Sequence, residues 1–493
     1  MEKYSFNVHQ WLKQVRVSFV MDDEDKIVRN VVDGMKKHFA KFGHLVQEKP
    51  DDETDLLITA AKFGEVVNWR KALLFTGRRR FKLAKMPTVM TIVHIKPDEF
   101  KRMLKTLDEA LRKEPFDSEA LKFQGLADNA YQVLFEQGNR GGPILALLRM
   151  VQGQTKSIRI LLVVGDDKPE TAYLFDLVGA YPKIDANDIE MFYEEIILRL
   201  VTAVSTHEIT NHRVEDGLIS HDVWAGLETI PAMLNAAREF GKRNFFTQMI
   251  RIADLIHVPA VAETISSQYS EGCFATWDDQ LKALVTTITG SARPVEKDSI
   301  TEDDLAVITG VRQDGQGAVV KHVEGKHNDP PSSEAVEMYA IDRNLPKVMY
   351  RKRDGSIVEV PVSRSKLHGH RGIVSFDPKK VEHVHLDPAF YSFPVSCSTE
   401  AQAKGIEGAF SRAQSLLNPD DPRQVAFTIL PGHGIVIVEK WVEGKEPFQV
   451  IWEYMDNGYL EVTNHVPQGM IEFKKNADGK MVIEDLNNAA VFS

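Results

Sequence analysis

Near residue 300 the texture of the chain changes, from alternating strand and helix patterns to short β runs separated by glycine turns. Before that point strand-sized apolar runs alternate with helical periodicity. VRVSFVMD (15–22) reads as a buried strand ending in acids. The segment after it places Val28, Val31, Val32, Met35 and Phe39 on one helical face, with Gly43 just past its end. DLLITAA (55–61) and TVMTIVHI (88–95) are further strands, and PDEFKRMLKTLDEALRK is a further helix. Strand, helix, strand, strand, helix is the rhythm of an open α/β sheet. The Gly141-Gly142-Pro143 break, an apolar helix and IRILLVVG (158–165) begin a second such unit, and residues 187–264 are almost continuously helical in pattern. After residue 300, short β runs are separated by Arg-Asp-Gly, Asp-Asn-Gly and Ala-Asp-Gly, which are hairpin turns. They include LAVITGV, VMYRKRDGSIVEVPV, VAFTIL, FQVIWEYMDNGYLEVTNHV and MIEFKKNADGKMVIEDL, with one helical insertion at 399–417. The expected fold is α/β. Two Rossmann-like α/β domains, 1–115 and a helix-rich 116–300, precede a β-rich C-terminal domain, 301–493, for which a barrel is one closed form.

Size and charge narrow the function. A chain of 493 residues is too long for one core, and roughly three domains are expected. The net charge is -11, which argues against bulk nucleic-acid or anionic-membrane binding. Two cysteines, Cys273 and Cys397, make neither a disulfide framework nor a four-cysteine zinc site, and they suit a reducing cytoplasm. No run approaches the ~18 apolar residues of a membrane span, and MEKYSFNVHQWLKQ lacks the layout of a signal peptide. A soluble, cytoplasmic protein is expected.

Twelve of the 16 histidines lie after residue 200, many of them beside acids, so the chemistry is sought there. Imidazole with carboxylate is a ligand set for zinc, manganese or iron. No H-E-x-x-H run is present, so a metal site must be assembled from distant segments. His383 and His385, in VEHVHLDP, share one face if that segment is a strand. His368 and His370 have the same spacing but lie in SRSKLHGHRG, which reads as a basic loop. His433 sits in Pro431-Gly432-His433-Gly434 between two apolar strands, where flanking glycines allow a sharp turn and close approach of a ligand. It is the strongest single candidate. In EGCFATWDD, Glu271 and Asp278 are seven apart, so one helix face would hold both carboxylates; either suits a general base or a metal. His322, Glu324, His327, Asp329 and Glu334 crowd a strand-to-loop passage ended by Pro330-Pro331. RRRF (78–81) and NRGG (139–142) are anion-binding candidates of lower specificity, and His207 and His212 read as isolated histidines.

The order of parts resembles the L-arabinose and L-fucose isomerases. In the arabinose enzymes a histidine and a G-K-x-D-P stretch follow a strand; Lys321-His322-Val323-Glu324-Gly325-Lys326-His327-Asn328-Asp329-Pro330 is similar. The late histidine after an apolar strand and glycine turn matches Thr428-Ile429-Leu430-Pro431-Gly432-His433, and an early acid falls near Glu271. The resemblance implies a divalent metal, manganese first and zinc or iron next, held by Glu271, His322 and His433. It implies an aldose–ketose isomerase in which Glu271 or Asp278 moves the proton and the metal stabilises an enediolate. Where the family has a second metal carboxylate this chain has Gly290-Ser291-Ala292-Arg293, which leaves Arg293 for an acidic substituent. His327, His383 and His385 would complete the substrate contacts. The implied partner is a small sugar or sugar acid in a homo-oligomer, with no nucleic acid and no membrane. A second resemblance is to the class II aldolases, through His383-x-His385 followed by His433 before Gly434, and implies metal-dependent aldol cleavage. A non-catalytic sugar-binding protein on the same scaffold is the third expectation.

Overall fold

The computed structural model describes residues 14–21, 25–62, 88–102, 105, 158–176, 179–180, 184–205, 212–246, 272–289, 297–313, 315, 317–387, 400–431, 433–463, 467 and 471–485. Among the described residues the content is mixed α/β, 29% helix and 37% strand. It divides into two compact units, Met1–Thr206 with Ile250–Thr264, and His207–Met249 with Ile265–Ser493. The expected boundary at 115 lies outside the described residues. The one at 300 falls within the second unit, where Ile300 is core.

The first unit is built on β1 (Arg16–Val20), α1 (Lys26–Lys41), β2 (Leu45–Gln47), β3 (Leu56–Lys62), β4 (Thr88–Ile95), β5 (Ile158–Val164), β6 (Thr171–Asp176), β7 (Gly179–Ala180), β8 (Ile184–Asp185) and α2 (Ile189–Ser205). The sheet runs β2-β1-β3-β4-β5-β6-β7, with β8 on β6. The first five strands are parallel, and β6 turns antiparallel on β5. Asp25 starts α1 by accepting from the Ile27 and Val28 amides at 2.8 and 3.1 Å. The expected face, Val28, Val31, Val32, Met35 and Phe39, is the one buried, in a core shared with Phe192, Ile196 and Leu200 of α2. Near-continuous burial of β3, β4 and β5 fits a parallel sheet covered on both faces.

The second unit contains β9 (Arg213–Ile219), α3 (His221–Ala225), α4 (Thr229–Lys242), β10 (Cys273–Asp278), β11 (Ala283–Thr287), β12 (Leu305–Val311), β13 (Ala318–Val323) and α5 (Ala335–Ala340). It continues with β14 (Lys347–Arg351), β15 (Ile357–Pro361), β16 (Ser363–Gly369), β17 (Gly372–Phe376), β18 (Val381–His383), α6 (Glu400–Phe410) and α7 (Gln414–Leu417). It ends with β19 (Val425–Leu430), β20 (Gly434–Lys440), α8 (Gln449–Asp456), β21 (Leu460–Thr463), β22 (Ile471–Lys475) and β23 (Met481–Asp485). The main sheet has nine strands in the order β18-β19-β20-β16-β10-β11-β12-β13-β9, an open sheet where the sequence suggested a barrel. A hairpin, β14-β15, and a four-stranded sheet, β21-β17-β23-β22, accompany it.

Alternation along each strand gives the main sheet two apolar faces. Phe274, Leu367 and Ile437 face a core with Phe240 of α4 and Ile451 of α8. Cys273, Ala275, Val436 and Val438 face the other core, with Met338 of α5 and Ile406 and Phe410 of α6. Among the described residues no helix is long and apolar enough to cross a membrane.

Three local expectations are corrected. Residues 213–219 form β9, not helix. Residues 273–278 form β10, because FATW pairs with buried neighbours on both sides. Residues 449–456 form α8, not strand: Glu439 stands under its first turn and accepts from the Phe448 and Ile451 amides at 2.9 and 3.3 Å.

Candidate metal centre

SRSKLHGHRG is not a loop: Ser363–Gly369 is strand β16, central in the sheet and buried along most of its length. Its polar side chains are affordable because partners reach them from elsewhere in the chain. Lys366 Nζ donates to Asp342 at 2.6 Å, and Ser363 Oγ donates to the same carboxylate. Burial pushes the Asp342 carboxyl up and the Lys366 ammonium down, and their contact opposes both. His368 follows on the same strand face. It lies beside Cys273 of β10 and Val436 of β20, on the side of the sheet covered by α5 and α6.

His370 comes two residues later, as the strand ends. His433 is brought to both by the turn between β19 and β20. Gly434 passes so near β16 that a Cβ there would lie 2.2 Å from the Gly369 carbonyl oxygen, so only glycine allows the approach. The three rings pack edge to face, with centroids 5.2 Å (His368–His370), 4.7 Å (His368–His433) and 4.8 Å (His370–His433) apart. One nitrogen from each lies within 4.8 Å of the others, and among the described residues this is the one group of three or more such side chains placed to hold a metal ion.

Hydrogen bonds behind two of the rings determine which nitrogen each of those two offers. His368 Nδ1 is 2.9 Å from the Ile435 carbonyl, an acceptor, so Nδ1 carries the proton and Nε2 the lone pair. His433 Nδ1 is 3.2 Å from Gln402 Oε1. The Gln402 amide is oriented by its other end, because Nε2 donates to Glu337 Oε2 at 2.9 Å. His433 Nε2 then faces His370 Nε2 at 3.1 Å. Two ligand nitrogens at ~2.05 Å from a tetrahedral zinc stand about 3.3 Å apart, so this separation needs little adjustment. A second layer of acceptors behind metal-binding imidazoles is a recurrent design. Three protein ligands leave a position open for substrate.

The surroundings carry further charge. Burial pushes the Glu334 carboxyl up, but the nearby His368 and His370 rings, and Ser332 Oγ donating at 3.0 Å, bring it below the usual range. Burial holds the Cys273 thiol well above its ordinary range, and Glu334 adds to that, so it remains a thiol rather than a ligand or nucleophile. His433 and His368 are almost fully buried, whereas His370 is half-buried and forms the accessible side.

Of the residues proposed from sequence, His433 is in the cluster and several are elsewhere. His322 is on β13, four strands from β16, or about 19 Å at ordinary strand spacing. It is not a partner of His433. His327 is exposed in the loop after β13. Asp278 ends β10, where it accepts from the Gln280 and Leu281 amides and from Thr229 Oγ1 at 2.6 Å, which makes it a turn cap and not a base. His383 is on β18, three strands from β16 or about 14 Å away, packed among Phe427, Phe473 and the His385 ring. Burial holds the His383 imidazole well below its ordinary range, and His385, at the exposed edge of this apolar seat, is lowered by partial desolvation and by the Arg412 charge. Glu271 and Arg293 lie outside the described residues, as do RRRF, NRGG and His207. The His-Gly-His spacing and the Gly-His-Gly turn were each visible, but nothing local tied one to the other. Gln402 and Glu337 carried no signal in sequence. Comparison with protein-family models, with curated proteins and with solved structures finds no match to this chain.

Proposed function

We propose that the second unit is a divalent-metal-dependent enzyme acting on a small sugar or sugar acid, interconverting an aldose and a ketose. The observation that carries the reading is the convergence of His368, His370 and His433, with two of the rings turned by acceptors behind them. His368, His370 and His433 would hold the cation, which would supply Lewis-acid stabilisation of developing negative charge on substrate oxygens. Glu334, a buried carboxylate that interacts with the His368 and His370 rings, would take the proton from one substrate carbon and return it to its neighbour. His370, on the accessible side, holds the ring nearest the substrate. The apolar wall of α5 and α6 excludes water and strengthens these interactions. An all-imidazole set favours zinc or iron over the manganese that a carboxylate-bearing set would suit.

Metal-dependent aldol cleavage is the second reading. It is favoured by the chain order of the cluster, a His-x-His pair at 368 and 370 followed by His433 before Gly434. Elemental analysis of the purified chain, with His433→Ala beside it, tests the metal. Bound divalent metal that the variant loses is expected. A metal-free protein whose behaviour is unchanged by added zinc or manganese would point instead to a non-catalytic sugar-binding protein. Product analysis separates the reactions, since isomerisation conserves carbon number and aldol cleavage releases a shorter aldehyde.

A further inference from the structure

Behind His433 stand two buried polar residues that the proposed chemistry does not use. Gln402 of α6 is 3% exposed and Glu337 of α5 is 0% exposed. Neither is a member of the three-histidine group. They form a chain of acceptor and donor, His433 Nδ1 to Gln402 Oε1 at 3.2 Å and Gln402 Nε2 to Glu337 Oε2 at 2.9 Å. A neutral imidazole places its proton on either nitrogen, and only one choice leaves the Nε2 lone pair toward His370. An amide can likewise present oxygen or nitrogen, and an ionised carboxylate accepts only.

We propose that Gln402 and Glu337 are positioning residues that act through His433. The Glu337 carboxylate takes the amide N–H, which turns Gln402 Oε1 toward the ring. Oε1 then keeps the proton on His433 Nδ1 and presents Nε2 to the other two imidazoles. The functional meaning rests on the metal-centre reading, but the tautomer is a property of the metal-free chain. Helices α5 and α6 therefore contribute to the site without touching what it binds, and their packing against the sheet sets the ring's protonation pattern.

The test uses the full chain with 15N-labelled histidine, stripped of metal by chelator. Long-range 1H–15N spectra assign His433 by comparison with His433→Gln. The expected result is a single Nδ1–H tautomer, replaced by a mixture in Gln402→Met, which keeps the length and removes the acceptor. Competition titration with Zn2+ is expected to show 10–100-fold weaker binding for Gln402→Met. Gln402→Glu and Glu337→Gln are each expected to weaken Zn2+ binding. The double exchange Gln402→Glu/Glu337→Gln keeps the total charge, sets an acceptor against His433 Nδ1 and lets the amide at position 337 donate back to the carboxylate at 402, so it should restore most of the loss. A role in packing alone does not produce that rescue, and if Gln402→Met fails to fold the exchange carries the test. An unchanged His433 tautomer in Gln402→Met, or a double exchange no better than the single variants, would overturn the inference. If the wild-type chain binds no Zn2+, the metal reading fails by itself and the tautomer comparison still decides this inference.

Discussion

Two buried side chains report the balance between burial and hydrogen bonding at single residues. Glu439 has its carboxyl pushed from 4.5 to about 7 by burial, against the pull of Arg364, the Ile451 and Phe448 amides and Ser365. A raised folded value means that its contribution to stability is present below 4.5 and is lost as pH rises through about 7. We expect wild-type stability to fall on the order of 1–3 kcal/mol across that interval from this group. Glu439→Gln, which stays neutral, should flatten the slope in denaturant melts between about pH 5 and 8. An unchanged slope would mean that Glu439 stays ionised throughout. His383 gives the opposite sign. Both of its ring nitrogens are buried with no hydrogen-bond partner among the described residues, and burial, with His385 beside it, holds it well below 6.5. Its contribution is present above 6.5 and is lost as pH falls toward its depressed folded value. His383→Phe fits the surrounding Phe427 and Phe473 and is expected to reduce acid sensitivity below 6.5. Thermal melts that lose stability on acidification as steeply as wild type would count against this.

At the scale of elements, legibility in the sequence followed locality. Helix α1 and strands β1, β3, β4 and β5 were readable because periodicity and cap lie within one short stretch. Strand β16 was not, because what makes Lys366 tolerable in a core is Asp342, 24 residues upstream. Strand β10 resembled one face of a helix because its Asp278 comes seven residues after Glu271 in the sequence, and its real determinant is pairing with β11 and β16. Helix α8 passed for a strand because its alternating aromatics hide the carboxylate that starts it, which belongs to β20. The candidate site was half visible for the same reason: His433 announces itself through its glycines, but the crossing that joins it to His368 is made by Gly434 against Gly369. Gly434→Ala is therefore expected to separate β20 from β16 at this point. The cost should be about 1–3 kcal/mol in denaturant unfolding, together with loss of Zn2+ binding. Normal stability and normal metal uptake in that variant would show that the close approach is not what assembles the rings.

At the scale of the whole molecule, all three rings and their supporting residues belong to the second unit, while the first unit is built on a mostly parallel sheet with a core of its own. Strand β16, the residue just after it and the β19–β20 turn bring together three histidines that could hold one metal ion. Zn2+ titration of the full chain and of single alanine variants at five histidines tests this most directly. His368→Ala, His370→Ala and His433→Ala are each expected to lose tight binding, while His322→Ala and His383→Ala are expected to bind as wild type. Retention of wild-type affinity by any of the first three, or its loss in either of the last two, would contradict it.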